Sequence, residues 1–131
     1  MTDHNNYDVA EIFYRGWPHM KPFQREVAAD AVHNMLDWCL ANSVLANGEI
    51  ATPDQGDPIP DSYYFAAAFL DTVGFFDSTK KFWTKDPLQD SSAIRAGMIR
   101  RLKDFNPYYT MVDDALARLG ARRHPWTDAV L

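Results

Sequence analysis

The chain has 131 residues, a net charge of −5 and 47% hydrophobic residues, which is enough for one folded domain. This composition excludes an intrinsically disordered chain, and no apolar run reaches the roughly 20 residues of a membrane span. The acidic balance argues against a nucleic-acid binder, because such proteins present a basic face. We therefore expect a single domain over residues 1–131 that binds neither nucleic acid nor membrane.

Charge and cysteine usage suggest a setting for this domain. Residues 1–76 carry three basic against eleven acidic residues, whereas residues 77–131 carry ten basic against seven acidic. Such asymmetry is consistent with two surfaces for different partners, but solvation alone is the simpler explanation. The one cysteine, Cys39, cannot form an internal disulfide, and the first residues lack the features of a secretory signal. We expect a reducing, cytoplasmic compartment.

The first predicted elements are an N-terminal arm and a long helix. The polar and aromatic residues 1–21 predict an arm that is extended or forms a short helix. Pro22 suits the first turn of a helix, and Asn47–Gly48 suits its end, so the helix is predicted over about 22–46. We expect one broad apolar face of this helix to be buried, comprising Phe23, Val27, Ala28, Ala31, Met35, Trp38 and Cys39.

A proline-rich acidic loop over residues 47–60 leads into the second predicted helix, over 62–74. Three prolines and two glycines exclude a regular element in the loop, and a loop of this length is often functional. The helix is apolar on nearly every side, so it needs neighbours all around it. Its one charged residue is Asp71.

Two further helices are predicted over residues 91–105 and 107–119, followed by a C-terminal tail over 121–131. Each helix has an apolar stripe at helical spacing, and we find no convincing strand. The sequence therefore predicts an all-α fold. About four main helices form a small bundle or a helical-hairpin array around the central 62–74 helix.

The acidic loop and the helix after it offer a candidate catalytic site. Paired carboxylates perform general acid–base chemistry when the fold holds them at a suitable distance. The candidate acids are Asp54, Asp57, Asp61 and Asp71. We expect the pocket beside them, and other binding contacts, to involve Tyr63, Tyr64, Trp17, Trp83, Arg122 and Arg123. Structural roles explain the same aspartates: Asp61 as a helix cap, Asp54 and Asp57 as turn residues, and Asp71 as a buried hydrogen-bonding group.

A polar stripe on the first long helix offers a weaker metal-binding candidate. Its members Glu26, Asp30, His33 and Asp37 fall within roughly 60° of one another on a helical wheel. Carboxylates and an imidazole at this spacing are able to share a divalent metal. The stripe lies opposite the apolar face, so we expect it to face water, and we expect no cofactor.

The segment 35–76 resembles one helical hairpin of the α/α-toroid proteins, which include many carbohydrate-active enzymes. It contains Leu-Ala-Asn-Gly-Glu-Ile at 45–50, a proline-rich crossing, and an apolar helix beginning Asp-Ser-Tyr-Tyr-Phe at 61–65. In that group an outer amphipathic helix alternates with an inner apolar one, and the loops that enter the inner helices carry the site. Closed toroids need five or six hairpins, whereas this chain has room for about two. The resemblance thus implies a helix-hairpin architecture and identifies no catalytic residue.

Three functional hypotheses follow. The first is a non-enzymatic protein–protein interaction or structural module that self-associates or binds a protein partner. The second is a small-molecule or carbohydrate-directed enzyme, or its remnant, with a carboxylate site at loop 47–60. The third is a metal-binding helical bundle, which requires the 26–37 stripe to face inward.

Overall fold

The computed structural model describes residues 1–51, 56, 58–106 and 108–121, and these residues form five α-helices and no β-strand. In chain order the helices are α1 (Asp3–Gly16), α2 (Pro22–Trp38), α3 (Ile59–Thr72), α4 (Ser92–Leu102) and α5 (Thr110–Arg118). Short 3₁₀ turns lie at Trp17–His19 and Ser78–Lys80, and a π-helical turn lies at Cys39–Ser43. The predicted all-α fold class is confirmed.

The N-terminal arm forms the 14-residue helix α1, which sequence analysis did not count among the main helices. Its first turn is capped by Thr2, whose hydroxyl accepts a hydrogen bond from the N–H of Asn5 at 3.1 Å. The helix packs along α3, where the imidazole of His4 stacks on Phe65 with ring centres 3.9 Å apart. Tyr7, Phe13 and Trp17 of the arm pack, partly buried, against the core, whereas Tyr14 is 51% exposed.

Helix α3 is the centre of the bundle, as its apolar sequence predicts. It begins three residues before the predicted start, with Pro60 in its first turn, and it is followed by Gly74 at a φ of 81°. Its most extensive contacts are with α1 and α5. Nearly all of its second half is buried, comprising Ala66, Ala67, Ala68, Phe69, Leu70, Asp71 and Thr72.

The apolar face of α2 is only partly buried, which corrects the expectation for two of its residues. Val32 and Leu36 belong to the core, whereas Phe23 and Val27 are 62% and 66% exposed. Helix α1 packs much less extensively against α2 than against α3. The first two turns of α2 therefore have little cover. An amphipathic pattern predicts that a helix has an apolar face, but it does not predict which element covers that face.

The last two helices agree with their predicted positions to within a few residues. Helix α4 packs Met98 and Leu102 into the core, and α5 packs Val112 and Leu116. Helix α5 begins at Thr110 rather than 107, and the predicted tail lies outside the described residues except for 121. No described helix combines the length and apolarity needed to cross a membrane.

Two glycines allow the turn after α2 to pack directly on α4. Gly48 has a φ of 87°, and a Cβ placed on it would lie 2.3 Å from the carbonyl oxygen of Ile94. A Cβ on Gly97 of α4 would lie 1.5 Å from the carbonyl oxygen of Asn47. Backbone therefore meets backbone at this point, and neither position has room for a side chain.

We predict that Gly97→Ala destabilises the protein by about 2–3 kcal/mol, because the new methyl group overlaps the backbone of Asn47. Gly16→Ala is the matched control, since its Cβ would meet only Met20 Cε at 3.5 Å. Alanine is the better helix former, so the control is neutral or gains up to about 1 kcal/mol. Urea unfolding followed by circular dichroism measures both variants. Equal stabilities of the two variants would contradict the close packing of the turn on α4.

Candidate functional site

Asp71 lies on the buried face of α3 and is paired with cations from two other elements. The residue is 7% exposed. One carboxylate oxygen accepts a hydrogen bond from Lys80 Nζ at 2.9 Å, and the other accepts one from Arg118 Nη1 at 3.2 Å. The predicted charge on the apolar helix is thus compensated by ion pairs, which a buried carboxylate requires.

Arg118, at the C-terminal end of α5, connects three helices. Besides Asp71 on α3, its guanidinium donates to the hydroxyl of Tyr7 on α1 at 3.1 Å and to Asp114 at 3.3 Å. It also lies over the rings of Tyr7 and Tyr64, at 5.5 and 5.9 Å from the ring centres. Burial opposes its charge, but the surrounding tyrosine hydroxyls and Asp114 raise the pKa of Arg118 above its ordinary value.

Tyr64 is the second residue of this cluster whose pKa differs from its ordinary value. Burial, with smaller effects of the neighbouring Tyr7 and Asp114, raises the pKa of Tyr64 to about 12, although the neighbouring Arg118 acts in the opposite direction. Tyr64 therefore stays neutral at physiological pH and presents its ring to the guanidinium.

A small cleft opens beside this cluster. Its volume is about 180 Å³, and it is lined by Glu11, Tyr14, Asp71, Thr72, Lys80 and Arg118. One oxygen of Glu11 accepts from the hydroxyl of Thr72 at 3.2 Å, and the other accepts from Arg15 at 3.2 Å. Two carboxylates and two cations thus share one concave surface between α1, α3 and α5. We call it the Asp71 cleft.

In the described part of the chain, the carboxylates predicted as a catalytic set do not lie together. Asp54 and Asp57 lie outside those residues. Asp61 is in the first turn of α3 and accepts a hydrogen bond from the hydroxyl of Tyr109. Ten residues of helix separate it from Asp71, a rise of about 15 Å. The carboxylate site at loop 47–60 therefore stays a prediction.

The aromatic residues predicted to bind a ligand are distributed over the domain. Tyr63 is buried, accepts a hydrogen bond from the N–H of Ile50 at 3.1 Å, and borders a second cleft. That cleft is also lined by Glu49, Ile50, Ile59, Gly97, Arg100, Arg101 and Asp104. Trp83 is buried and donates to the carbonyl of Val73 at 2.8 Å, whereas Trp17 lies under Arg25. Arg122 and Arg123 lie outside the described residues.

The polar stripe of α2 faces solvent along its length. Glu26, Asp30, His33 and Asp37 are all exposed, and His33 Nε2 lies 3.2 Å from a carboxylate oxygen of Asp37. Within the part of the chain that the structure describes, no group of three or more His, Cys, Asp or Glu residues has the arrangement of a metal site. The stripe thus lacks the inward orientation that the metal hypothesis requires.

An uncovered apolar surface lies on the opposite side of α1 from the Asp71 cleft. Phe23 and Val27 of α2, one helical turn apart, border a shallow groove with Phe13 and Met20. We call Phe13, Met20, Phe23 and Val27 the α1–α2 apolar surface.

Asp71 is evident in the sequence as the one charge on an apolar helix, whereas its surroundings are not. Lys80 lies on the 3₁₀ turn Ser78–Lys80, and Glu11 and Tyr7 both lie on α1; nothing in the local sequence connects these two elements to α3. A carboxylate on an apolar helix requires a cation, but this requirement does not say which one. Arg118, which supplies one cation, lies at the C-terminal end of α5, where a positive charge suits the helix dipole.

Comparison with models of known protein families finds no match for this chain. Neither curated proteins nor solved structures provide a match. The resemblance of residues 35–76 to a toroid hairpin therefore stays a prediction from pattern. The candidate site is described by its own geometry alone.

We predict that Tyr64→Phe flattens the loss of stability between pH 10 and pH 12. The folded state raises the pKa of Tyr64 from 10.0 to about 12. Its contribution is therefore complete below pH 10 and is lost as the pH rises through about 12. Urea unfolding across this range measures the slope for the wild type and the variant.

Tyr108→Phe is the control for this prediction, because Tyr108 is 89% exposed. We expect this control to keep the wild-type dependence on pH. If Tyr64→Phe and the wild type lose stability in parallel from pH 10 to pH 12, the environment described for Tyr64 is wrong.

Proposed function

We propose that the chain is a non-enzymatic protein-interaction module that associates with a second copy of itself through the α1–α2 apolar surface. The observation that carries this proposal is the exposure of Phe23 and Val27, 62% and 66%, on a helix whose Ala28, Val32, Met35 and Leu36 are buried. Large apolar side chains grouped on one surface are typical of interaction sites.

The shape of this surface favours a second copy as the partner. A groove of about 290 Å³ is lined by Phe13, Met20, Phe23, Gln24, Val27 and Ala28. A two-fold interface requires a surface that complements itself. This groove meets the requirement when each copy places the exposed Phe23 and Val27 of its α2 against the apolar lining of the other.

A cytoplasmic setting is part of the same proposal. The support for it is Cys39, which is buried within the domain and lies at the start of the π-helical turn. A buried thiol packs as a small apolar side chain. A thiol that stays reduced is typical of a reducing compartment. The net charge of −5 supports a protein partner over nucleic acid.

We predict that the double substitution Phe23→Gln and Val27→Gln converts a dimer into a monomer. Glutamine keeps the helix propensity of α2 and removes the two exposed apolar side chains. Light scattering coupled to size-exclusion chromatography, over a range of protein concentrations, measures the solution mass. Circular dichroism checks that the helical content is unchanged.

Tyr108→Gln is the matched control, since it replaces a large side chain that is 89% exposed away from this surface. We expect the control to remain dimeric. A wild-type protein that is monomeric at every concentration would overturn the proposal, and so would a dimer that survives the double substitution.

A further inference from the structure

The Asp71 cleft differs from an ordinary surface ion pair in its depth and its mixed charge. Its floor is formed by Asp71 and Thr72, which are 7% and 8% exposed. Its lining also carries the carboxylate of Glu11 from α1 and the cations of Lys80 and Arg118. A ligand in this cleft would meet both signs of charge at once.

The charged groups of the lining keep hydrogen-bonding capacity for a ligand. Among contacts with described residues, Asp71 takes one of the three N–H donors of Lys80, whose side chain is half exposed. Each oxygen of Glu11 accepts one hydrogen bond, although a carboxylate offers about four acceptor positions. The cleft therefore offers an acceptor for a cationic group and a donor for an anionic one.

The size and the aromatic wall narrow the ligand class. A volume of about 180 Å³ is below the roughly 300 Å³ at which pockets for drug-sized molecules begin. The ring of Tyr14 borders the opening and packs edge-on against Phe82, with ring centres 5.5 Å apart. A small side chain or an aliphatic stem has an apolar surface to contact there.

We infer that the Asp71 cleft binds a small zwitterion of the α-amino-acid class, with its ammonium group on Glu11 and its carboxylate on Lys80 and Arg118. A simple anion would be repelled by Glu11 and Asp71, and a simple cation by Lys80 and Arg118. A zwitterion is attracted by both signs of charge when its ammonium group lies at Glu11 and its carboxylate at Lys80 and Arg118. This site is separate from the apolar surface proposed for self-association.

The first test offers the L-α-amino acids one at a time to isotope-labelled protein and follows the backbone amide signals by NMR. We expect at least one of them to shift the signals of Thr72 and Lys80 in a saturable manner. The matching amine without a carboxylate, and the matching acid without an amine, bind at least about tenfold more weakly. The inference is overturned if no amino acid saturates by about 10 mM, or if either analogue binds equally well.

The second test uses paired variants of the protein. Glu11→Gln removes the partner of the ammonium group and Lys80→Met that of the carboxylate, and each weakens binding by about tenfold or more. Asp8→Asn and Lys85→Met make the same changes at exposed positions that do not line the cleft. These controls keep wild-type affinity. Wild-type affinity in both cleft variants would overturn the inference, and circular dichroism verifies that each variant is folded.

Discussion

The pairing of Asp71 with Arg118 is the interaction on which the arrangement of the helices depends. An apolar central helix is stable only when it is surrounded, and a carboxylate within it is stable only when a cation reaches it. Arg118 meets the second need from α5 and extends to Tyr7 on α1. One guanidinium thereby fixes the orientation of both helices that flank α3.

Helix α1 separates the two surfaces to which we assign roles. Its inner face carries Tyr7 and Glu11 toward the buried charges of α3 and α5, while Ile12 is on its exposed side. The inner surface is small, polar and electrostatically balanced, which suits a small ligand. The outer surface is apolar and shallow, which suits a protein. Neither role depends on the other, because the residues that carry them are different.

The fold was largely predictable from sequence because its central element is a local pattern. Residues 62–74 are apolar on nearly every side, and glycine or proline marks the ends of several helices. The candidate site was less predictable, since Asp71 and Arg118 are 47 positions apart and meet only after α3 and α5 pack. The exposure of Phe23 and Val27 was also unpredictable, because the same spacing of apolar residues serves a core or a partner surface.

A double-mutant cycle between Asp71→Asn and Arg118→Met, measured by urea unfolding, tests most directly whether this ion pair organises the bundle. Each single variant leaves one charge, buried for Asp71 and partly buried for Arg118, without one of its partners, whereas the double variant removes both charges together. We expect the double variant to be more stable than the sum of the single effects predicts, with a coupling of about 1–3 kcal/mol. Additivity within about 0.5 kcal/mol would contradict the central role given to the pair.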